Sequence, residues 1–330
     1  MVAPFDVEQL KTIGPSVTLV DDVGFDRAGY TPQIAISRNG TFIYVLGSEF
    51  RKRELIWVDR QGVSESLGAP ADVYESPRLS PNGRFIAVGI RSQKKFTIQV
   101  HIYDILLDKL TLLTTEGENE KPQWSPDGTQ IAYWSRRSEG GGLVCKTLGA
   151  SAPAELLASK ASLRGTLLPY SWSHDSNLLA GTVQDPNRHD DIWIIEMDGD
   201  RKLKSFLNEE YGEFNPTFSP DGRWLAYVSW ESGSEQIYLR EYTEDGRKEI
   251  VSTEGGINPA WSRDGRELYY ISGKSMMVVQ ITPEPDFRVG APIQLFEGSY
   301  ETGGNLGTQY DVSDDGRFLM VKRSDDIKVQ

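Results

Sequence analysis

The sequence predicts an all-β protein, a seven-bladed β-propeller of four-stranded antiparallel blades, and three observations carry that prediction. A Ser-x-Asp/Asn-Gly core recurs at Ser37, Ser80, Ser125, Ser219, Ser262 and Ser313, with a worn copy at Ser173 in which Ser176 replaces the glycine. The successive intervals are 43, 45, 48, 46, 43 and 51 residues, the size of one four-stranded blade. Around each core, apolar and polar residues alternate with the period of two that belongs to strands, where helices would repeat every 3.6 residues.

The copy from Asn215 to Ser229 is the fullest. It alternates up to Phe218, turns at Ser219-Pro-Asp-Gly and alternates again from Trp224, which reads as a β-hairpin tipped by Asp221 and Gly222. With two outer strands added to each hairpin, blades are expected at 31–70, 76–115, 121–158, 169–207, 214–253 and 257–298. The last blade is expected to be shared by the two ends of the chain. Residues 1–23, with the strand-like runs Met1-Val-Ala-Pro-Phe-Asp-Val and Ser16-Val-Thr-Leu-Val, supply its outer strands, and 307–323 its inner pair. This two-plus-two seam makes 1–330 a single domain and leaves no free sheet edge. Helix has little place; Val7 to Lys11 reads as a short turn.

The composition agrees. Eight Trp, 14 Tyr and 12 Phe beside 32 Gly and 17 Pro suit many short strands joined by tight turns. A net charge of −13 argues against a general nucleic-acid binder, because phosphate contacts need a basic surface. The single cysteine, Cys145, cannot form an intramolecular disulfide and lies in a strand-like run, where an inert buried thiol is expected. No apolar run is long enough to span a membrane, so no insertion is expected. Met1 to Leu10 carries Asp6 and Glu8 and does not read as a secretory signal. The chain as given reads as cytoplasmic, or as extracytoplasmic if it is excised from an exported or anchored parent.

The repeats Pro122 to Tyr133, Pro216 to Tyr227 and Pro259 to Tyr270, with looser copies at Ile34 to Val45 and Tyr310 to Val321, resemble the repeat of TolB-type β-propellers, also called WD40-like or PD40 repeats. The phrasing of Leu55-Ile-Trp-Val-Asp-Arg-Gln-Gly, Ser219-Pro-Asp-Gly-Arg-Trp-Leu-Ala-Tyr and Trp261-Ser-Arg-Asp-Gly-Arg-Glu-Leu-Tyr-Tyr is similar to the propeller that follows bacterial serine/threonine kinase domains. That resemblance implies a sensor or docking region of a larger signalling protein and no activity of its own, since no Gly-rich loop, His-Arg-Asp or Asp-Phe-Gly is present.

Candidate sites follow from propeller geometry. The tips Asp127, Asp221, Asp264 and Asp315 have the chemistry of calcium ligands, but an Asx turn followed by glycine accounts for them without a metal. The histidines His101, His174 and His189 fall in different blades and offer no catalytic pair, and no nucleophile motif occurs. Residues just before the repeated proline or its equivalent, Ser76, Lys121, Asn215, Asn258 and Gln309, are expected at the channel mouth, where they could meet a ligand or ordered water. The loops after the hairpins at 31–70, 76–115 and 121–158 carry Arg51, Lys52, Arg53, Arg91, Lys94, Lys95, Arg136 and Arg137, a basic patch against the overall sign that could steer a partner unless Glu116, Glu118 and Glu120 neutralise it. Asp185, Asp190, Glu209, Glu210, Glu213 and Glu231 make the facing loops acidic.

These features point to a monomeric, non-catalytic module that binds a protein, peptide or small ligand at the channel mouth and its rim. The alternative is a propeller hydrolase or lyase that uses channel carboxylates and a bound cation. No cofactor is expected; a structural cation in the channel is the open alternative.

Overall fold

A computed structural model describes residues 2–20, 23, 25–26, 31–44, 52–92, 97–137, 140–163, 165–243, 245–283, 285–302 and 307–323. The chain divides into two compact units, Met1–Arg51 and Lys52–Gln330. The second is an all-β propeller of six blades. Blade one is Tyr74–Leu79, Phe85–Arg91, Ile98–Asp104 and Lys109–Leu112; blade two is Glu118–Trp124, Gln130–Arg137, Gly140–Thr147 and Glu155–Ser159. Blade three is Thr166–Trp172, Leu178–Gln184, Asp191–Glu196 and Leu203–Leu207; blade four is Glu213–Phe218, Trp224–Ser229, Gln236–Glu241 and Lys248–Ile250. Blade five is Ile257–Trp261, Glu267–Ser272, Ser275–Thr282 and Ile293–Glu297, with Arg288–Val289 as a short extra strand.

The sixth blade corrects the expectation of seven. Its order is Tyr310–Val312, Phe318–Arg323, Arg53–Val58, Ser64–Ser66, so a two-plus-two seam closes the ring with a different outer pair from the one expected. Phe318 pairs with Val58 and the register runs unbroken to Arg323 with Arg53. The strand Arg53–Val58, expected beside the hairpin at 31–44, buries side chains on both its faces. Ile56 and Val58 pack against blade five, while Leu55 packs against blade one. The first repeat therefore contributes no blade. Its Ile34–Ile36 and Phe42–Tyr44 form a separate two-stranded hairpin around a turn of the same chemistry, and Ile36 and Ile43 remain exposed. Residues 1–23 likewise stay within the first unit, where Phe5–Asp6 pairs with Lys11–Thr12 and Val2 bridges Val17. A serine-led turn specifies a hairpin; burial on both faces specifies a blade.

Ring closure shows in the cores, which lie between blades. Ala87 and Val100 of blade one meet Trp124, Ile131 and Tyr133 of blade two, and Ala132 and Leu143 of blade two meet Leu167 and Trp172 of blade three. The series continues through Ile194 with Phe218, Trp224 with Trp261, and Tyr269 with Phe318, and ends where Leu319 and Val321 meet Ile86 and Val88. Every blade face is thus removed from water by a neighbour, which is the main stabilising term of the ring.

At the tips, one device repeats. In blade four the Ser219 hydroxyl donates to Asp221 at 2.5 Å and accepts the Trp224 amide at 2.9 Å, while the Gly222 amide donates to the Ser219 carbonyl. Ser80, Ser125, Ser173 and Ser262 build the same turn.

Candidate functional site in the propeller channel

Each of the inner strands of blades one to five slips register against the second strand. In four of them the slip is marked by a residue in the left-handed region: Ser76, Lys121, Asn215 and Asn258, with φ of 51°, 55°, 54° and 56°. Asn tolerates this conformation; Ser and Lys do so at a cost of about 1 kcal/mol. Blade three carries Pro169 at the slip, whose ring forbids positive φ. A bulge of this kind re-aims the residues that follow it. Two positions on stand Arg78, Gln123, Ser171, Thr217, Ala260 and Asp311, one from each blade, and all six line a single axial cavity of about 320 Å³. The wall extends from Asn215 and Thr308 to the hairpin tips at Pro81, Pro126, His174, Pro220 and Arg263.

The ring of six is unlike in chemistry. Arg78 donates from Nε to Gln123 at 3.1 Å and from Nη1 to the carbonyls of Pro77, Thr308 and Tyr310 at 2.7, 3.2 and 3.2 Å. Burial pulls its guanidinium below the ordinary value, and the Asp311 charge opposes that. Asp311 accepts the amides of Leu79 at 2.8 Å and Val312 at 2.9 Å. Ser171 accepts the Phe218 amide at 3.0 Å. Backbone and side chains of neighbouring blades are thus stitched together at the axis.

The residues expected at the mouth form a second belt. The Ser76 amide donates to Gln309 at 3.0 Å, Asn215 donates to Asn258 at 2.6 Å, Asn258 donates to the Thr302 carbonyl at 2.6 Å, and Lys121 donates to the Tyr170 hydroxyl at 2.8 Å. All five are buried. Asn215 lines the cavity; the other four lie in the belt behind it. Gly307 belongs here too: a side chain at this position would sit 2.6 Å from Lys121 Nζ, and its φ is 80°.

Three cations of the expected basic patch are paired with carboxylates. Arg53 is buried, donates to the Tyr74 carbonyl at 2.9 Å and faces Glu75 and Glu301 at 4.0 and 3.8 Å. Arg91 grips Glu75 at 2.9 and 3.3 Å, and Arg136 pairs with Glu118 at 3.2 Å. Arg137 reaches the Ser135 hydroxyl and Lys52 is exposed. Arg51, Lys94 and Lys95 lie outside the described residues.

The remaining candidates are accounted for locally. Asp127 and Asp264 are held below the usual carboxylate range, first by the hydroxyls of Ser125 and Ser262. Burial lowers the pKa of His101, whose Nδ1 faces the Gln99 carbonyl at 3.0 Å. It also pushes the Cys145 thiol up to about 11. Among the described residues no three His, Cys, Asp or Glu side chains are placed to hold a metal ion. No described helix is long and apolar enough to cross a membrane.

The profile of the TolB β-propeller domain, PD40, matches residues 122–286. The chain belongs to that family. A TolB homolog of Chlorobium luteolum is 29% identical over 120 residues, which is 36% of this chain and 25% of that protein, so the match spans about a quarter of the curated relative. Among solved structures, a protein assigned as TolB in Agrobacterium tumefaciens superposes with a TM-score of 0.65 at 16% identity, covering 83% of this chain and 99% of the other. TolB from Acinetobacter baumannii gives 0.56 at 20% identity over 74% and 64% of the two chains. At these identities the structural likeness is one of fold.

Sequence reasoning missed the axial ring. Its signal was present, because each ring residue stands at one fixed repeat position, immediately before the buried Leu79, Trp124, Trp172, Phe218 and Trp261 in five of the blades.

Proposed function

We propose that this TolB-family propeller is a binding module whose channel receives a short segment of a partner protein, entering from the hairpin-tip end. The carrying observation is the axial cavity, to which every blade contributes one residue on a rigid strand. A second hollow of about 150 Å³ between blades four and five shares Ser219, Pro220 and Trp261 with the channel and is walled by Trp224, Ile281, Pro283 and Phe287. A polar slot beside a pocket walled by these apolar side chains together with Asp221 and Asp264 suits a peptide, with one side chain anchored beside the axis. The TolB homologues support a module of this type.

Binding is favoured over hydrolysis or lysis by the channel's own chemistry. Asp311 is the only carboxylate on the described cavity wall, and backbone amides already occupy both its oxygens. His174 is the one histidine on the described wall; it stands at a hairpin tip, and among the described residues no hydrogen bond joins it to Asp311. The test is selection of random short peptides on the purified protein, followed by titration of the winners against Thr217→Trp, which fills the channel from a wall position. Affinity is expected to fall about tenfold or more; winners that bind the filled variant as well as the parent would overturn the reading.

A further inference from the structure

Resting on that reading, we infer that the channel is a carboxylate receptor, built from Arg78 and Tyr170, for an acidic side chain or a C-terminus of the incoming segment. Among the described residues, two donors on the cavity wall, Arg78 Nη2 and the Tyr170 hydroxyl, have no protein acceptor. Arg78 uses Nε on Gln123 and Nη1 on three backbone carbonyls, and both N–H groups of Nη2 are left over. The Tyr170 hydroxyl accepts a hydrogen bond from Lys121 Nζ at 2.8 Å, so its own proton is free to be donated.

The charge balance points the same way. Arg53, Arg60, Arg84 and Arg91 each have a carboxylate within 4.0 Å. Arg78 has none within that distance among the described residues, although an arginine keeps its charge. Carbonyl dipoles compensate a buried cation only in part. Lys121, stacked over the Tyr170 ring at 4.8 Å and bonded to its hydroxyl, adds a second positive centre behind the donor pair. Asp311 brings the one opposing charge on the described cavity wall, already engaged by two amides, while Glu120 and Asp190, off that wall, feel the charge of Lys121. A guanidinium edge beside a hydroxyl donor fits the two oxygens of a carboxylate better than any neutral group.

The probes are N-acetylalanine for a C-terminus, the N-methylamide of N-acetylglutamate for an acidic side chain, and N-acetylalanine amide as the uncharged control. In protein labelled with nitrogen-15 at arginine, at least one carboxylate should shift the Arg78 Nε–H resonance saturably and the control should not; the tighter of the two identifies the source. Arg78→Gln should weaken that probe about tenfold or more, and Tyr170→Phe severalfold. Failure of both carboxylates to move the Arg78 signal of the unaltered protein overturns the inference without recourse to a variant, as does unchanged binding by a folded Arg78→Gln. If selected peptides are lost on Thr217→Trp yet bind Arg78→Gln normally, the receptor is wrong and channel binding stands. If Thr217→Trp leaves them bound, channel binding itself falls.

Discussion

Two buried glutamates at the rim opposite the hairpin tips show how differently one repeat can be used. Glu75, 6% exposed on the inner strand of blade one, lies between Arg53 and Arg91. Glu213, 1% exposed on the inner strand of blade four, has Glu209, Asp191 and Glu231 around it, and among the described residues its Oε2 has no hydrogen-bond partner. Burial above all, with those carboxylates adding to it, pushes Glu213 up to about 8. Burial among other carboxylates thus favours the neutral form of Glu213, whereas Glu75 meets two arginines, one of them Arg91 on the adjoining strand.

Removing the clamp should have the largest effect. Glu75→Ala removes the carboxylate that Arg91 grips and one of the acids that Arg53 faces, and it lies where the closing blade meets blade one. Loss of one partner from a buried ion pair costs about 3–5 kcal/mol. Urea unfolding at neutral pH should show a drop of that size; a change below about 1 kcal/mol would mean the pair behaves as a solvated surface bridge.

The acid should respond with the opposite sign. Between about pH 4.5, the ordinary value, and about 8, the folded chain holds a proton at Glu213 that the unfolded chain has released. Stability from this group is therefore full below that window and is lost as pH rises through it. Glu213→Gln keeps the neutral shape at every pH. The variant should match the parent near pH 4.5, exceed it near pH 8, and flatten the slope of stability against pH by about one proton. Parallel pH profiles for the two proteins would show that Glu213 titrates like an exposed carboxylate.

What was legible in the sequence is set by what repetition can carry. The recurring serine turns placed the hairpins of five blades and of the closing inner pair, because Ser-x-Asp/Asn-Gly dictates a local structure wherever it occurs. The same local sufficiency misled at Ser37, where the turn forms and no blade follows; the partner of Arg53–Val58 is chosen by burial against Phe318–Arg323, a contact that no period records. The site was hidden for the complementary reason. Arg78, Gln123, Ser171, Thr217, Ala260 and Asp311 occupy one repeat position and differ in every blade, so a search for sameness passes over them. Of the basic patch, Arg136 meets Glu118, one of the acids the sequence already set against it, whereas the Glu75 that holds Arg91 lies on an inner strand and not in the loops where the charges were counted.

The smallest expected effect supplies a pH-flat control for the two glutamates. Ser176 holds the place of the tip glycine in blade three at φ 63°, while Gly83, Gly128, Gly222 and Gly265 hold it elsewhere at 68° to 72°. A side chain in this region meets the following carbonyl at a cost of about 1 kcal/mol that glycine escapes, less the greater freedom glycine has when unfolded. Its amide already donates to the Ser173 carbonyl at 2.9 Å, so the turn loses nothing when the hydroxymethyl group goes. Ser176→Gly should therefore raise stability by about 0.5 kcal/mol, equally at pH 5 and pH 8, since no ionisable group is touched. A gain that changed with pH would mean that blade three transmits the charge state of its acidic rim to the far tip, and the two ends of the blade could no longer be treated as independent.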